Sequence, residues 1–200
     1  LTRFRFAKAQ WRTMTPILTA TRFLALINGA MLAVGRHISV VLMGLMVLVI
    51  LIQVFARYVL NNALPWPDEA ARFMMLWLTG LVAPTAYRRG GFVAIDMVVV
   101  MLPKIVGAIV TLVLLFIALV VLVTAVKIGW GEVTGFGGRF KTAALWLPTD
   151  FAFSEWFRVP RSWMMASLLV GVTLMTSVTV ELILRQFAVL VGRDDELPEI

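Results

Sequence analysis

Two groups of charged residues stand where apolar sequence gives way to polar sequence, and they are the first candidates for chemistry. The denser holds Arg57, Asp68, Glu69 and Arg72 around the turn Asn61-Asn62-Ala63-Leu64-Pro65-Trp66-Pro67. Pro67 suits the first position of a helix, and acids in a first turn complement the helix dipole. Asp68 and Arg72 stand at i,i+4, and Glu69 and Arg72 at i,i+3, so both pairs are spaced to join on a helix face. Arg57, closing the preceding apolar run, reaches the same region. Such a cluster either caps a helix and staples two neighbouring segments, or it contacts a partner or a substrate. Proton relay is disfavoured, because none of the four sits in the middle of an apolar run. The second group is Glu181 with Arg185, spaced for a local ion pair near the end of the last apolar run. Lys127 and Glu132 mark the end of another.

Residue types also exclude chemistry. The chain has no cysteine, which removes disulfides, thiolate metal sites and cysteine nucleophiles. His37 is the only histidine, so neither a bis-histidine haem nor a multi-histidine metal site is possible within the chain. No cofactor is expected. Asp68 and Glu69 are adjacent and diverge on a helix, a poor acid–base pair. The net charge of +7 is carried by residues flanking apolar runs, without a groove-sized basic patch, and this argues against nucleic acid. Of 200 residues, 61% are hydrophobic and 14% charged, against about 45–50% and about 25% in soluble domains. Such a chain belongs in lipid.

The elements that position these groups follow from the charge-free runs. Residues 38–56, 105–126 and 162–180 each provide the roughly 20 residues needed to cross about 30 Å of hydrocarbon. A fourth run, 73–87, is shorter and contains Gly80 and Pro84; Arg72 and Arg88 snorkelling at its ends extend it to a span. The expectation is an all-α integral membrane protein forming one domain. Its spans are 37–60, 67–88, 104–127 and 161–184, with an arm at 1–36, an outer loop at 128–160 and a tail at 186–200. With the N-terminus inside, Arg3, Arg5, Lys8, Arg12, Arg22, Arg36, Arg88, Arg89, Lys104, Arg185 and Arg193 share the inner side. Arg57, Arg72, Lys127, Arg139, Lys141, Arg158 and Arg161 then lie outside. Eleven against seven places both termini in the cytoplasm.

Within the arm, Ile17, Ala20, Leu24, Ile27, Met31 and Val34 recur at alternating spacings of three and four, with Arg22 and Asn28 off that stripe. This predicts a separate amphipathic helix over 16–35, lying on the membrane against lipid or a partner. The basic residues before it resemble a signal peptide, but no short apolar core with a small-residue cleavage site follows, so the segment is expected to be retained. A second short helical segment is expected at 94–102, between Asp96 and Pro103. The outer loop is rich in rings, among them Trp130, Phe136, Phe140, Trp146 and Phe157, and reads as an interfacial collar or as a docking surface.

The order Arg57-Tyr58, Pro65-Trp66-Pro67-Asp68-Glu69-Ala70-Ala71-Arg72, Trp77, Arg88-Arg89-Gly90-Gly91, Asp96 and Pro103 resembles the small membrane subunit, DctQ-like, of tripartite ATP-independent periplasmic (TRAP) transporters. The last span, led by Val159-Pro160, is similar in position and character. One departure is Phe92, where many members carry a histidine. The resemblance implies a subunit that moves no solute itself. A larger membrane subunit would hold the substrate and sodium sites and work by an elevator motion, a periplasmic binding protein would deliver an organic acid, and this chain would pack beside the large subunit as a fixed scaffold. It also marks Arg57, Asp68, Glu69, Arg72 and Asp96 as a structural or partner-contact cluster, with Trp66 and Trp77 as interface aromatics.

The residues themselves agree in three respects: no charges at the midplanes of the long runs, no internal repeat, and no obvious internal site. The alternative is a small autonomous oligomeric channel or transporter. That reading requires a polar helix face, for which the sequence offers Gln53 and the group Thr173, Thr176, Ser177 and Thr179.

Overall fold

The computed structural model describes residues 2–90, 103–148 and 156–190. The expected segment at 94–102, with Asp96, and the tail from 191 onward lie outside the described residues.

Four helices dominate the described residues. Helix α1 covers Thr2–Tyr58, α2 Trp66–Arg88, α3 Lys104–Thr134 and α4 Ser162–Leu190. Three of them, over 19–58, 105–134 and 162–190, are long and apolar enough to cross a membrane. Helix α2, which carries Asp68, Glu69, Arg72 and Arg88, is not among these. Its 23 residues still extend about 35 Å at 1.5 Å per residue.

One expectation is corrected here. The stretch 16–35 forms no separate helix: α1 runs unbroken from the arm through the first long apolar run. No proline or glycine pair falls between Pro16 and Tyr58 to interrupt it, and single glycines cost a helix only about 1 kcal/mol each. Within the expected outer loop, the described residues hold elements the sequence reading did not assign. A 3-10 turn, Phe136–Arg139, leads into strands β1, Lys141–Pro148, and β2, Trp156–Pro160, which pair antiparallel. Trp146 lies opposite Arg158 and Leu147 opposite Phe157, with an irregularity between Lys141 and Trp146.

Helix directions follow from contacts. Gly35 faces Leu81 and Arg88 reaches Ala25, so α1 and α2 are antiparallel. Gly80 meets Ser167 and Gly171 while Tyr87 meets Thr179, so α2 and α4 run parallel. Gly129 packs on Leu169, and Gln186 bonds to the Ala108 carbonyl at 3.3 Å, which makes α3 antiparallel to α4. The hairpin therefore sits at the end of the bundle where α1 and α3 finish and α2 and α4 begin.

The α2–α4 crossing is backbone against backbone. A Cβ on Gly171 would lie 2.7 Å from the Gly80 carbonyl oxygen and 2.9 Å from its Cα, and a Cβ on Gly80 would overlap the Ser167 carbonyl. Pro84 explains why that carbonyl is there. Proline has no N–H to give to the carbonyl four residues back, so the oxygen of Gly80 loses its helical donor and faces α4 instead. Small residues that let backbones approach are what holds helices together in lipid, where apolar burial provides no drive.

The same logic settles which face of α1 turns inward. Thr21, Ala25, Asn28, Leu32, Gly35 and Ser39 are buried, whereas Ala20, Ile27, Met31 and Val34 of the apolar stripe are exposed. Asn28, off the apolar stripe, is only 1% exposed. Beyond Ser39, α1 displays apolar side chains around most of its girth, among them Val41, Leu48, Leu51 and Phe55.

Candidate functional site

The polar interior converges on Glu181. Helix α4 carries it one turn before Arg185, α2 ends on Arg88, and the inner stripe of α1 presents Asn28. The Arg88 guanidinium donates to Glu181 Oε1 at 2.7 Å and to the Ala25 carbonyl at 3.1 Å. Arg185 Nε donates to the same carboxylate oxygen at 3.0 Å, and its NH2 lies 2.9 Å away. Asn28 Nδ2 donates to Glu181 Oε2 at 2.8 Å, and Ser177 Oγ donates to Asn28 Oδ1 at 2.7 Å. Glu181 has no exposed side-chain surface. One carboxylate thus joins three helices.

The joint is extended by Thr179, whose hydroxyl lies 3.0 Å from the Tyr87 hydroxyl, one residue before Arg88. Leu32, Tyr87 and Val178 pack beside it, with Met175 and Leu182 against them. A buried carboxylate is stable only when its partners repay the loss of water, and here three side chains donate to it. Sequence reading found the Glu181–Arg185 pair but not Arg88 or Asn28. The available signal was Asn28 itself, an amide beside an apolar stripe in a membrane helix, which must find a partner.

At the hairpin end, the charge cluster does not assemble as spaced. Among the described residues no ion pair joins Asp68 or Glu69 to Arg57 or Arg72. Asp68, Arg57 and Arg72 are exposed. Glu69 instead accepts hydrogen bonds from the backbone N–H groups of Ala143, at 2.9 Å, and Ala144. Two adjacent backbone donors in β1 present a better target than a flexible, solvated arginine, whose exposed pairing is worth about 0–1 kcal/mol. On the other edge of the hairpin, Arg158 donates to the Ala143 carbonyl at 2.7 Å and stands 5.1 Å over the Trp146 ring. Thr142 Oγ donates to the Val159 carbonyl at 2.8 Å, and Arg161 N–H to the Phe140 carbonyl at 2.8 Å.

The expected interface aromatics differ in setting. Trp66 is exposed at the start of α2, and Trp77 is half-buried, 6.4 Å from the Phe73 ring, with its indole N–H unbonded. His37 is exposed and its Nδ1 lies 2.7 Å from the Ala33 carbonyl of its own helix. Asp96 lies outside the described residues. Among the described residues no group of three or more His, Cys, Asp or Glu side chains is placed to hold a metal ion.

Nor do the hydroxyls of α4 line a polar lane. Thr173 donates to Leu169, Thr176 to Val172 and Thr179 to Met175, each at i−4, while Ser177 serves Asn28. Gln53 leaves its carbonyl oxygen buried without a donor.

A bundle with three membrane-length helices, whose described polar groups are directed mainly at one another, is a helical integral membrane protein. Its sequence matches the DctQ component of tripartite ATP-independent periplasmic transporters over residues 46–189, and the chain belongs to that family. It is thus a small component of a TRAP transporter, a family that works with a large membrane subunit and a binding protein. The match includes the hairpin, the α2 motif, Arg88 and Glu181. A search of curated proteins found no match.

Proposed function

We propose that this chain is the non-catalytic small permease subunit that scaffolds the large elevator subunit of its transporter. In this reading the complex takes up an organic acid with sodium, the acid arriving on a periplasmic binding protein, across a bacterial inner membrane. The observation that carries it is the direction of the polar side chains. Glu181, Arg88, Arg185, Asn28 and Ser177 hold the chain's own helices together, while the apolar sides of α1 and α3 face outward. A rigid body with outward apolar faces suits a fixed support, and a solute lane would need polar groups left open to water.

The path of the chain supports α2 as a fourth crossing. Helix α1 finishes at the hairpin end and α3 starts at the Glu181 end, where Ala108 meets Gln186. The chain must return between them, and α2 is the described helix that does so. This reading puts both termini on the Glu181 side, the cytoplasm by the balance of arginine and lysine.

The test is reconstitution. The chain is expected to co-purify with a much larger multi-span protein, and liposomes holding it alone are expected to show no sodium-driven uptake. Uptake by the isolated chain would favour an autonomous transporter and overturn the proposal. Within the complex, Glu69→Ala is expected to lower assembly or transport while leaving the preference among acids unchanged.

A further inference from the structure

Rings and cations alternate along the hairpin and its supports. Trp130 and Phe136 lie at the end of α3 and just beyond it, Trp146 in β1, Phe157 in β2 and Trp163 at the start of α4, and all are exposed. Between them stand the exposed Arg139 and Lys141. The rings lie at the end of the bundle where the apolar surface of α3 finishes and that of α4 begins. Ring pairs stiffen the set: Phe136 meets Phe140 at 5.3 Å edge-on, and Phe157 meets Trp163 at 6.2 Å. A freely moving loop would not hold such a set at the end of the bundle. This one is tied to α2 through Glu69 and to α4 through the Arg161–Phe140 backbone bond.

We propose that the hairpin is a membrane anchor seated among phospholipid headgroups, that Arg139 and Lys141 give it a preference for anionic ones, and that Glu69 is the latch holding it at that depth. Indole and phenyl rings favour the boundary between headgroups and acyl chains. Cations just above that boundary meet the phosphates and gain from negative lipid. The occupant is lipid rather than protein because the rings are distributed over five successive segments and continue the apolar surfaces of two helices. Arg139 and Lys141 fall between Phe136 and Trp146 in the chain.

The absence of cysteine allows a single reporter. Ala143→Cys in the full chain, spin-labelled, is reconstituted into phosphatidylcholine vesicles with and without phosphatidylglycerol. Collisions with lipid-soluble oxygen, set against those with a water-soluble nickel chelate, are expected to place the label at headgroup depth without any other protein present. Trp146→Ala with Phe157→Ala, or Glu69→Ala alone, is expected to move it toward water. Spin-labelled phosphatidylglycerol is expected to associate with the chain more than phosphatidylcholine does. Arg139→Gln with Lys141→Gln is expected to reduce that preference, by up to about fivefold per cation removed.

A label that is fully water-accessible in every vesicle, and shielded only when the binding protein or the large subunit is added, would make the hairpin a protein-docking surface and overturn the anchor. Equal association of the two lipids would overturn the anionic preference. An unchanged label depth in Glu69→Ala would overturn the latch.

Discussion

Glu69 and Glu181 are both carboxylates on helices that pack together, yet they occupy opposite ends of the bundle and do different work. Glu181 has no exposed surface and takes side-chain donors from three helices. Glu69, half-buried, takes two backbone donors from one strand. The difference shows what a membrane bundle asks of a charge. Deep between helices, a charge must be surrounded by partners fixed in place, so it joins whatever those partners belong to. At the rim, water competes with weak pairings, and only preorganised donors win the carboxylate. Three helices depend on the first residue and one hairpin on the second.

Breaking the inner joint is expected to have the largest effect. Glu181→Ala leaves Arg88 and Arg185 buried without their shared counter-charge, a loss of about 3–5 kcal/mol by analogy with other buried pairs. Detergent unfolding titrations should show it, together with a fall in the yield of folded chain. An unchanged titration would mean that the carboxylate is not the joint described here. The backbone crossing above it comes next. Gly171→Ala drives a methyl into the Gly80 carbonyl, and overpacking of that kind costs about 1–3 kcal/mol. The same titration checks it, and a neutral result would require the helices to lie further apart than the structure has them.

The rim residue ranks third, and its effect is local. Glu69→Ala leaves two backbone N–H groups without their acceptor, about 1–3 kcal/mol at the hairpin. Hydrogen exchange should quicken at Ala143 and Ala144 while global unfolding hardly moves. If the two carboxylates act independently, the double variant Glu69→Ala with Glu181→Ala should be additive within about 0.5 kcal/mol, since they share no partner. Asn28→Ala is smaller, because hydrogen bonds between membrane helices average about 0.6 kcal/mol. Asp68→Ala and Arg72→Ala form the floor of the series, within about 0.5 kcal/mol by the usual range for exposed sites. A large loss in either would restore the ion-paired cluster that their spacing suggested.

Much of the fold was legible because lipid leaves a coarse mark on sequence. Long charge-free runs, Pro67 at the start of α2 and the order of the motif around Asp68 and Glu69 need only local reading. The site was less legible, for two physical reasons. The apolar stripe of Ala20, Ile27, Met31 and Val34 read as the side of the helix for lipid or a partner, but it did not say what the opposite face would meet. In lipid those side chains are content outside, and the face with Thr21, Ala25, Asn28 and Gly35 goes inside. The Glu69–Arg72 spacing looked like a pair by the rules of an isolated helix, and the hairpin amides, more than seventy residues away, intervened. The strands themselves escaped notice because a ring-rich loop beside a membrane has a sufficient explanation without them.

What the sequence alone determined, then, is the solvent, the family and the long apolar segments, since each depends on composition or on residues close together in the chain. Only the tertiary structure decided that Glu181 serves Arg88 and Asn28 as well as Arg185, that Gly80 and Gly171 touch, and that Glu69 holds β1. Those partners are 93 and 153 residues apart at Glu181 and 74 and 75 apart at Glu69. At such separations local spacing says nothing about who meets whom. Helix crossings choose, and in a membrane they follow small residues and unsatisfied polar groups rather than hydrophobicity.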